Sequence, residues 1–280
     1  MLELPWTRLV RFVDQQGVIC YGNLFNEGDD HAQLLEGEGP FSLRATGKQV
    51  AIGKILGPLT PADVPLVRCI GLNYATHLRE TGHPNPTNPT LFIKPAPAVA
   101  DHNAAIPVPK IAQGKMDYEG ELTILIGKDC KNVKPEDALD VIAAYTVGND
   151  LSARDWQTEP EKAGSRPQWC FGKSFDQFAP VGPYLVSPKL VGDCKGSTLS
   201  TYVNGERRQL GEISDLVFGV RDLVAFCSQG QTLEQGTLIM TGTPGGVGLF
   251  MNPKTFLQDG DEVVVTITQI GSLRNTLKFE

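Results

Sequence analysis

Asp117-Tyr118-Glu119-Gly120-Glu121-Leu122-Thr123-Ile124-Leu125-Ile126 is the stretch on which the reading of this chain turns. Leu122 to Ile126 is an apolar, β-prone run and predicts a buried strand. Residues two apart on a strand point to one face, so Glu119 and Glu121 crowd two negative charges together at its mouth. Carboxylates that close repel and raise one another's pKa unless a positive charge lies between them, and a divalent cation is the simplest such charge. Oxygen-only ligands favour Mg²⁺, Mn²⁺ or Ca²⁺ over zinc. Asp150 follows a second apolar run, Ala143-Ala144-Tyr145-Thr146-Val147, and is placed by it at a strand end. The competing reading makes all three surface acids. For a lone glutamate it would be preferred; for Glu-x-Glu against an apolar run the residues alone leave both readings open.

The bulk numbers set the frame. A chain of 280 residues accommodates one large domain, or a small one beside a larger one. Hydrophobic residues make up 41% and charged residues 20%, values ordinary for a globular protein. The net charge of −7, with no run of Lys or Arg, argues against a nucleic-acid partner. It also means that an anionic substrate needs local help from a metal, Arg or Lys. The cysteines at 20, 69, 130, 170, 194 and 227 form neither Cys-x-x-Cys nor a Cys/His zinc pattern, and are expected as reduced thiols. No basic-then-apolar leader and no apolar stretch of membrane-spanning length is visible. A cytoplasmic location without membrane association is therefore expected, with a mitochondrial one left open.

Outward from the acidic strand, the organisation is mostly β. Leu9–Val13 and Val18–Gly22 are short β-prone runs joined by a turn, within a small β module that ends near Pro58–Pro65, a three-proline linker. A new element starts at Val67. Residues 73–80 predict a short helix. Residues 82–90 are irregular because Gly82, Pro84, Pro86 and Pro89 forbid regular structure, which makes the region a candidate lid. Leu91–Ile93 resumes a strand. Pro135–Tyr145 reads as a helix, with proline near its start and Glu136 and Asp137 in its first turn. Thr201–Arg207 is a hairpin around Asn204-Gly205. Asp215–Cys227 has helical spacing, and Thr237–Met240 and Glu262–Ile267 are strands. The class is strand-rich α+β.

Three further constellations carry chemistry. His77 and Glu80 share one face of the short helix. A glutamate bonded to a histidine fixes its tautomer and raises its basicity, as a general base requires, although such a pair is also common on a solvated helix face. Phe171-Gly172-Lys173-Ser174 is not a phosphate loop, since Pro167 stands where the first glycine is needed. Lys173 is instead a cation among Trp169, Phe171, Phe175 and Phe178, where it calls for an anionic partner. Met240-Thr241-Gly242-Thr243-Pro244-Gly245-Gly246-Val247-Gly248 is a strand entering a glycine-rich loop. It is either a tight turn or a close backbone approach to a ligand with Thr243 as a hydroxyl donor; it is not a dinucleotide fingerprint. No Gly-x-Ser-x-Gly elbow occurs.

Taken in order, these pieces resemble the fumarylacetoacetate hydrolase family. The resemblance runs from about Arg68 to the C-terminus. It comprises Gly71-Leu72-Asn73-Tyr74-x-x-His77-x-x-Glu80, Leu91-Phe92-Ile93-Lys94-Pro95, Asp117-Tyr118-Glu119-Gly120-Glu121-Leu122, and Asn149-Asp150-Leu151-Ser152-Ala153-Arg154-Asp155-x-Gln157. Gly172-Lys173-Ser174-Phe175-Asp176, Pro180-Val181-Gly182-Pro183, Val203-Asn204-Gly205-Glu206 and Thr241-Gly242-Thr243-Pro244-x-Gly246-Val247-Gly248 complete it. The resemblance implies a mixed β-sandwich roll over residues 63–280, preceded by a small β module over 1–62, and a homodimer. It implies Mg²⁺ or Mn²⁺ on Glu119, Glu121 and Asp150, a catalytic His77–Glu80 dyad on a segment that orders over substrate, and Lys173 supporting developing charge. Gln157, Thr243, Arg154 and Tyr74 are expected at the substrate.

The activity so implied is enolate chemistry on a small-molecule 2-oxo acid or β-dicarbonyl compound. The reaction expected is hydrolytic C–C cleavage or decarboxylation. An isomerase or tautomerase on the same scaffold, or a non-catalytic binding relative, are the alternatives. Short acylpyruvate-cleaving members carry a basic residue where this chain has Leu72, whereas Gly-Leu-Asn-Tyr is shared with longer members that act as isomerases, decarboxylases and sugar-acid enzymes. Thr158–Gln168 is longer than usual, and its Lys162 and Arg166 are expected to meet a second substrate carboxylate.

Overall fold

Four N-terminal strands, Arg8–Asp14, Ile19–Asn23, His31–Glu36 and Arg44–Ile55, pair antiparallel. The computed structural model describes residues 1–82 and 84–280 of the chain. Arg8–Asp14 also pairs with Ala179–Val186, Arg8 opposite Val186, so the sheet continues from the N-terminal strands into the rest of the chain. It then runs through Ile142–Asn149, Gly120–Ile126, Leu238–Met240, Val67–Gly71 and Thr90–Lys94. A second sheet holds Glu206–Glu212, Thr198–Val203, Glu262–Ile267, Gly271–Phe279 and Ala105–Val108.

Side-chain patterns explain the layering. Every residue of Gly120–Ile126 and Ile142–Asn149 is buried, as expected for strands covered on both faces. Thr198–Val203 and Glu262–Ile267 instead alternate buried and partly exposed residues, as expected for strands with one solvated face. Ile124, Tyr145, Val147, Leu199, Val265 and Leu273 belong to one core cluster. Trp6, Leu9, Val67, Leu125, Ala143, Val181 and Met240 form another.

The expected hairpin is present, with Asn204 and Gly205 both at positive φ (50° and 80°), the signature of the tight primed turn. The short helix occupies Ala75–Thr81 and ends on Gly82 in the left-handed region. Among the described residues of 82–89 there is no helix or strand; the lid expectation includes His83, which lies outside the described residues. All six cysteines are free thiols. Among the described residues no helix is long and apolar enough to cross a membrane.

Two helix expectations are corrected. Pro135–Tyr145 is a 3₁₀ segment over Pro135–Asp140 followed by the strand Ile142–Asn149. The proline and acidic first turn did start a helical segment. Ile142 onward, however, has neighbours to pair with on both sides, Gly120–Ile126 and Ala179–Val186. A helix there would forfeit both ladders, so tertiary pairing overrides local propensity. Within Asp215–Cys227, Asp215 ends the 3₁₀ turn Ile213–Asp215 and the α-helix covers only Val220–Cys227. The stretch between them is held extended by bonds to the Asn73 turn: Val217 N–H donates to the Asn73 carbonyl at 2.8 Å, and Leu216 bridges Tyr74.

Candidate active site

Sheet register assembles the acidic cluster. Gly120 lies opposite Asn149 in the antiparallel pair, so Glu119 and Asp150 flank the same end of the two strands. The Asp150 N–H donates to the Glu119 carbonyl at 2.8 Å, and the Asn149 side chain accepts from the Glu119 N–H at 3.0 Å. Leu238–Met240 runs on the other side of Gly120–Ile126 and delivers the glycine-rich loop to Glu121, whose Oε2 accepts from the Gly242 N–H at 2.7 Å. The three carboxylates offer oxygens within 4.8 Å of one another, all buried.

Cations interleave with these acids. Lys173 Nζ sits 2.9 Å from Glu119 Oε2 and 2.6 Å from Asp150 Oδ2, supplying the anionic partners its apolar sequence surroundings called for. Arg154 contributes Nη2 at 2.6 Å from Glu119 Oε1 and Nε at 2.8 Å from Asp117 Oδ2. Lys94, with no exposed surface, lies 2.5 Å from Asp150 Oδ1. Burial pushes Glu119 up, but Lys173 and Arg154 together outweigh it and hold the carboxyl down to about 2. Glu121 goes the other way. Burial raises its pKa well above the usual carboxylate range, the charges of Asp150 and Glu119 raise it further, and the Gly242 N–H offsets only part of this. Burial depresses Lys173, but Asp150 and Glu119 overcome it and leave the ammonium firmly protonated.

The donor set fits a hard divalent cation. It consists of three carboxylates and no sulfur or imidazole. Among the described residues Glu121 has no ion-pair partner of its own, so the cluster lacks positive charge on its side. Asp150 Oδ1 is buried without a well-aligned hydrogen bond despite its proximity to Lys94.

Above the cluster, His77 Nδ1 lies 2.9 Å from Glu80 Oε2. The second Glu80 oxygen accepts from the Gly246 N–H at 3.0 Å, and the His77 ring packs edge-on against Phe250 at 5.6 Å. The glycine-rich loop therefore touches both members of the pair. A cavity of about 250 Å³ is lined by His77, Glu119, Arg154, Gln157, Lys173 and Thr243, with apolar walls that include Leu72, Phe92, Trp169 and Phe250. Leu72 holds φ at 56°, a left-handed conformation that costs a non-glycine residue roughly 1–2 kcal/mol and that structures retain mainly where the surroundings enforce it.

Not every expected residue reaches this cavity. Tyr74 is fully buried, its hydroxyl lacks a partner, and its ring packs by Gly211 and Pro244, away from the cavity lining. The physical reason is that its backbone bridges Leu216 at the start of the helix, which turns the side chain into the core. Lys162 is bound to Asp155 at 2.6 Å and does not line the cavity. Arg166 is exposed and does not line it either.

Two charged residues emerge only from the structure. Asp117, fully buried, accepts from the Gly248 N–H at 2.7 Å and the Leu249 N–H at 3.0 Å while pairing with Arg154. It thereby joins the far end of the glycine-rich loop to the arginine on Glu119. Tyr118 Oη donates to the Gly246 carbonyl at 2.9 Å and clamps the same loop. The second is Lys94. A lysine inside an apolar strand was its only advance signal, as an aspartate two residues before the first glutamate of Glu-x-Glu was for Asp117.

Residues 66–278 match the family model described as fumarylacetoacetate (FAA) hydrolase, C-terminal. Human mitochondrial oxaloacetate tautomerase FAHD2A is 40% identical over 79% of this chain and 68% of its own length. The crystal structure of 5-carboxymethyl-2-hydroxymuconate delta-isomerase from Mycobacterium smegmatis is 33% identical and superposes with a TM-score of 0.80 over 98% of this chain and all of that one. Fumarylpyruvate hydrolase from Pseudomonas aeruginosa, in complex with Mn²⁺ and pyruvate, is 35% identical with a TM-score of 0.68 over 78% of this chain and 91% of that one. The sheet-borne acidic cluster thus sits within a strand-rich α+β fold shared with enzymes of this kind, and the chain belongs to the fumarylacetoacetate hydrolase family.

Proposed function

We propose that this protein is a divalent-metal-dependent enzyme that transfers a proton between C3 and the 2-oxo oxygen of an oxo acid, interconverting its keto and enol forms. The observation that carries the reading is that His77, Lys173 and Glu119 open onto one cavity at the edge of the three-carboxylate cluster. Mg²⁺ or Mn²⁺ held by Glu119, Glu121 and Asp150 would supply Lewis-acid stabilisation of negative charge at the 2-oxo oxygen.

The side chains do the rest. Glu80 accepts a hydrogen bond at His77 Nδ1, which assigns the proton to Nδ1 and leaves Nε2 as the base. His77 takes the C3 proton and delivers it to the 2-oxo oxygen, and runs the same two transfers in reverse for ketonisation. Lys173, Arg154 and Gln157 hold the substrate's oxygens and balance the charge that develops on them. The apolar walls, Phe250 against His77 among them, keep water from the reacting atoms. Charge balance agrees. Asp117, Glu119, Glu121 and Asp150 outnumber Lys94, Arg154 and Lys173 by one. A divalent cation reverses that sign and suits a carboxylate substrate that gains negative charge on enolisation.

The tautomerase and isomerase among the similar proteins support proton transfer as the reaction. A second reading, hydrolytic C–C cleavage, is favoured by the likeness to a fumarylpyruvate hydrolase; His77 and Glu80 would then deprotonate a water. Incubating the Mn²⁺-loaded protein with oxaloacetate, pyruvate and acylpyruvates in D₂O separates them. Proton transfer gives metal-dependent deuterium incorporation at C3 without fragmentation; hydrolysis gives fragments by mass spectrometry. Neither outcome, or an undiminished rate in chelator, ends the enolate reading.

A further inference from the structure

Resting on the 2-oxo-acid reading above, we infer that Trp169 closes the far end of the cavity and sets the length of an apolar, uncharged substituent on the substrate. Among the described residues the only Lys or Arg side chains lining the cavity are Arg154 and Lys173, and both are engaged with the acidic cluster at the head end. Ile70, Gly71, Leu72, Phe92, Pro167 and Trp169 form an apolar part of the lining, which elsewhere carries the uncharged polar groups of Thr81, Gln157, Thr158 and Thr243. A second substrate carboxylate placed against it would be desolvated with no cation to meet it. A methylene chain placed there gains burial, roughly fourfold in affinity per added CH₂.

Trp169 is seated for this position. Its ring stands edge-on to Phe92 at 5.5 Å. A Cβ on Gly71 would lie 2.1 Å from the indole, so glycine at 71 is what makes room for the ring. Trp169 also opens the helix Trp169–Lys173, whose last residue reaches Glu119 and Asp150. Residues four apart share a helix face, about 6 Å apart along the axis. One short helix therefore carries the lysine at the substrate's charged head and the wall at its tail, a fixed spacing between the two. Behind the wall lies a second hollow of about 460 Å³ that shares Phe92, Pro167 and Trp169 and adds Thr90, Leu91, Gln168, Cys170 and Phe171. Among the described residues it holds no Lys or Arg either. Trp169 is thus a partition between the apolar end of the cavity and an uncharged hollow behind it, and the preferred substrate is a short-tailed 2-oxo monocarboxylate. This departs from oxaloacetate, the compound in the names of the similar tautomerases.

Calorimetric titration of the Mn²⁺-loaded protein tests the inference, with oxalate as the head-group probe and a series from pyruvate through 2-oxobutanoate and 2-oxopentanoate to 2-oxooctanoate. Affinity should rise with tail length, pass through a maximum and then fall by roughly tenfold or more. The dicarboxylate 2-oxopentanedioate should bind roughly tenfold more weakly than 2-oxopentanoate. Trp169→Ala should move the maximum to longer tails while oxalate affinity stays within about threefold; Trp169→Phe should move it less. An unchanged maximum in Trp169→Ala with oxalate binding retained overturns the inference, as does tighter binding of the dicarboxylate. Should only Trp169→Ala lose oxalate, Trp169→Phe decides, and an unchanged maximum there overturns it. Failure of the unaltered protein to bind oxalate in the presence of Mn²⁺ overturns the 2-oxo-acid reading itself, and this inference with it.

Discussion

The two halves of the candidate site are built to different standards of rigidity. The carboxylate half stands on paired strands. Glu119 and Asp150 are joined through the backbone, Glu121 is held by the Gly242 N–H, and Lys173, Arg154 and Lys94 lock the charges from beneath. The base half stands on the seven-residue helix Ala75–Thr81, which has no side-chain N-cap and leads into the proline-rich segment after Gly82. Its polar ties are few: the Thr76 N–H to Asp215 at 3.1 Å and Glu80 to Gly246 at 3.0 Å. Fixed charges need a frame that does not relax, since a carboxylate ring held loosely would spread or protonate. A group that must admit substrate and then close needs a segment with a low cost of local opening. Under the proposed function, binding would fall to the sheet and movement to the helix.

The largest expected effect breaks the carboxylate half. Glu121→Gln should abolish the stabilisation of the protein by Mn²⁺ and lower activity by roughly 10³-fold or more, because the cluster loses one of its charges and the charge stabilisation at the substrate with it. Its metal-free melting temperature should hold or rise. The sign follows from the raised pKa of Glu121: the folded state binds this proton more tightly than the unfolded chain, so the contribution is full at low pH and is lost as pH rises through the folded value. The neutral amide removes that loss. Scanning calorimetry with and without Mn²⁺ at neutral pH reads both effects.

Breaking the base half should look different. His77→Asn should cost roughly 10²–10⁴-fold in kcat, the usual worth of a general base. The Mn²⁺-induced rise in melting temperature should stay intact. If the metal effect fell in parallel, the two halves would not be the separable units described. Asp117 lies between them. Asp117→Asn leaves the buried Arg154 with Glu119 as its remaining carboxylate partner and weakens the Gly248 and Leu249 bonds, so a loss of roughly 2–4 kcal/mol in chemical denaturation is expected. Like Glu121→Gln, it should reduce both the metal response and kcat, each to a smaller extent.

The smallest effect belongs to neither half and supplies the pH baseline. Burial lowers the His102 imidazole to about 4, with a smaller push from Arg274, so the folded state favours its neutral form. Stability from this group is full above its ordinary value and is lost as pH falls from about 6.5 towards 4. The loss should be on the order of 1–2 kcal/mol after allowing for its partial exposure. Replacing His102 with Gln should flatten that slope in acid-melting curves and leave metal response unchanged.

How much was legible beforehand depended on the range of the interaction. Glu119 and Glu121 could be paired because strand periodicity is local, and Asp150 could be placed at a strand end from the apolar run before it. His77 and Glu80 were paired by helical spacing. What failed were readings that a distant partner decides. Ile142–Tyr145 is strand because neighbours on both sides need its backbone, and Tyr74 turns inward because Leu216 bridges its backbone. Lys94 and Asp117 had no readable role, because the groups that define them, Asp150 and the Gly248–Leu249 amides, lie far along the chain.

By itself, then, the sequence determined the strand-rich class, the acidic pair with a hard cation as one of its two readings, and the order of motifs that marks the family. Those follow from periodicity, charge and residue chemistry, which act over a few residues. Only the tertiary structure decided which cations neutralise the acids, how Asp117 ties the glycine-rich loop to the cluster, and that Trp169, seated on Gly71, walls the cavity. Those depend on sheet register, and register is set by which strands bury one another.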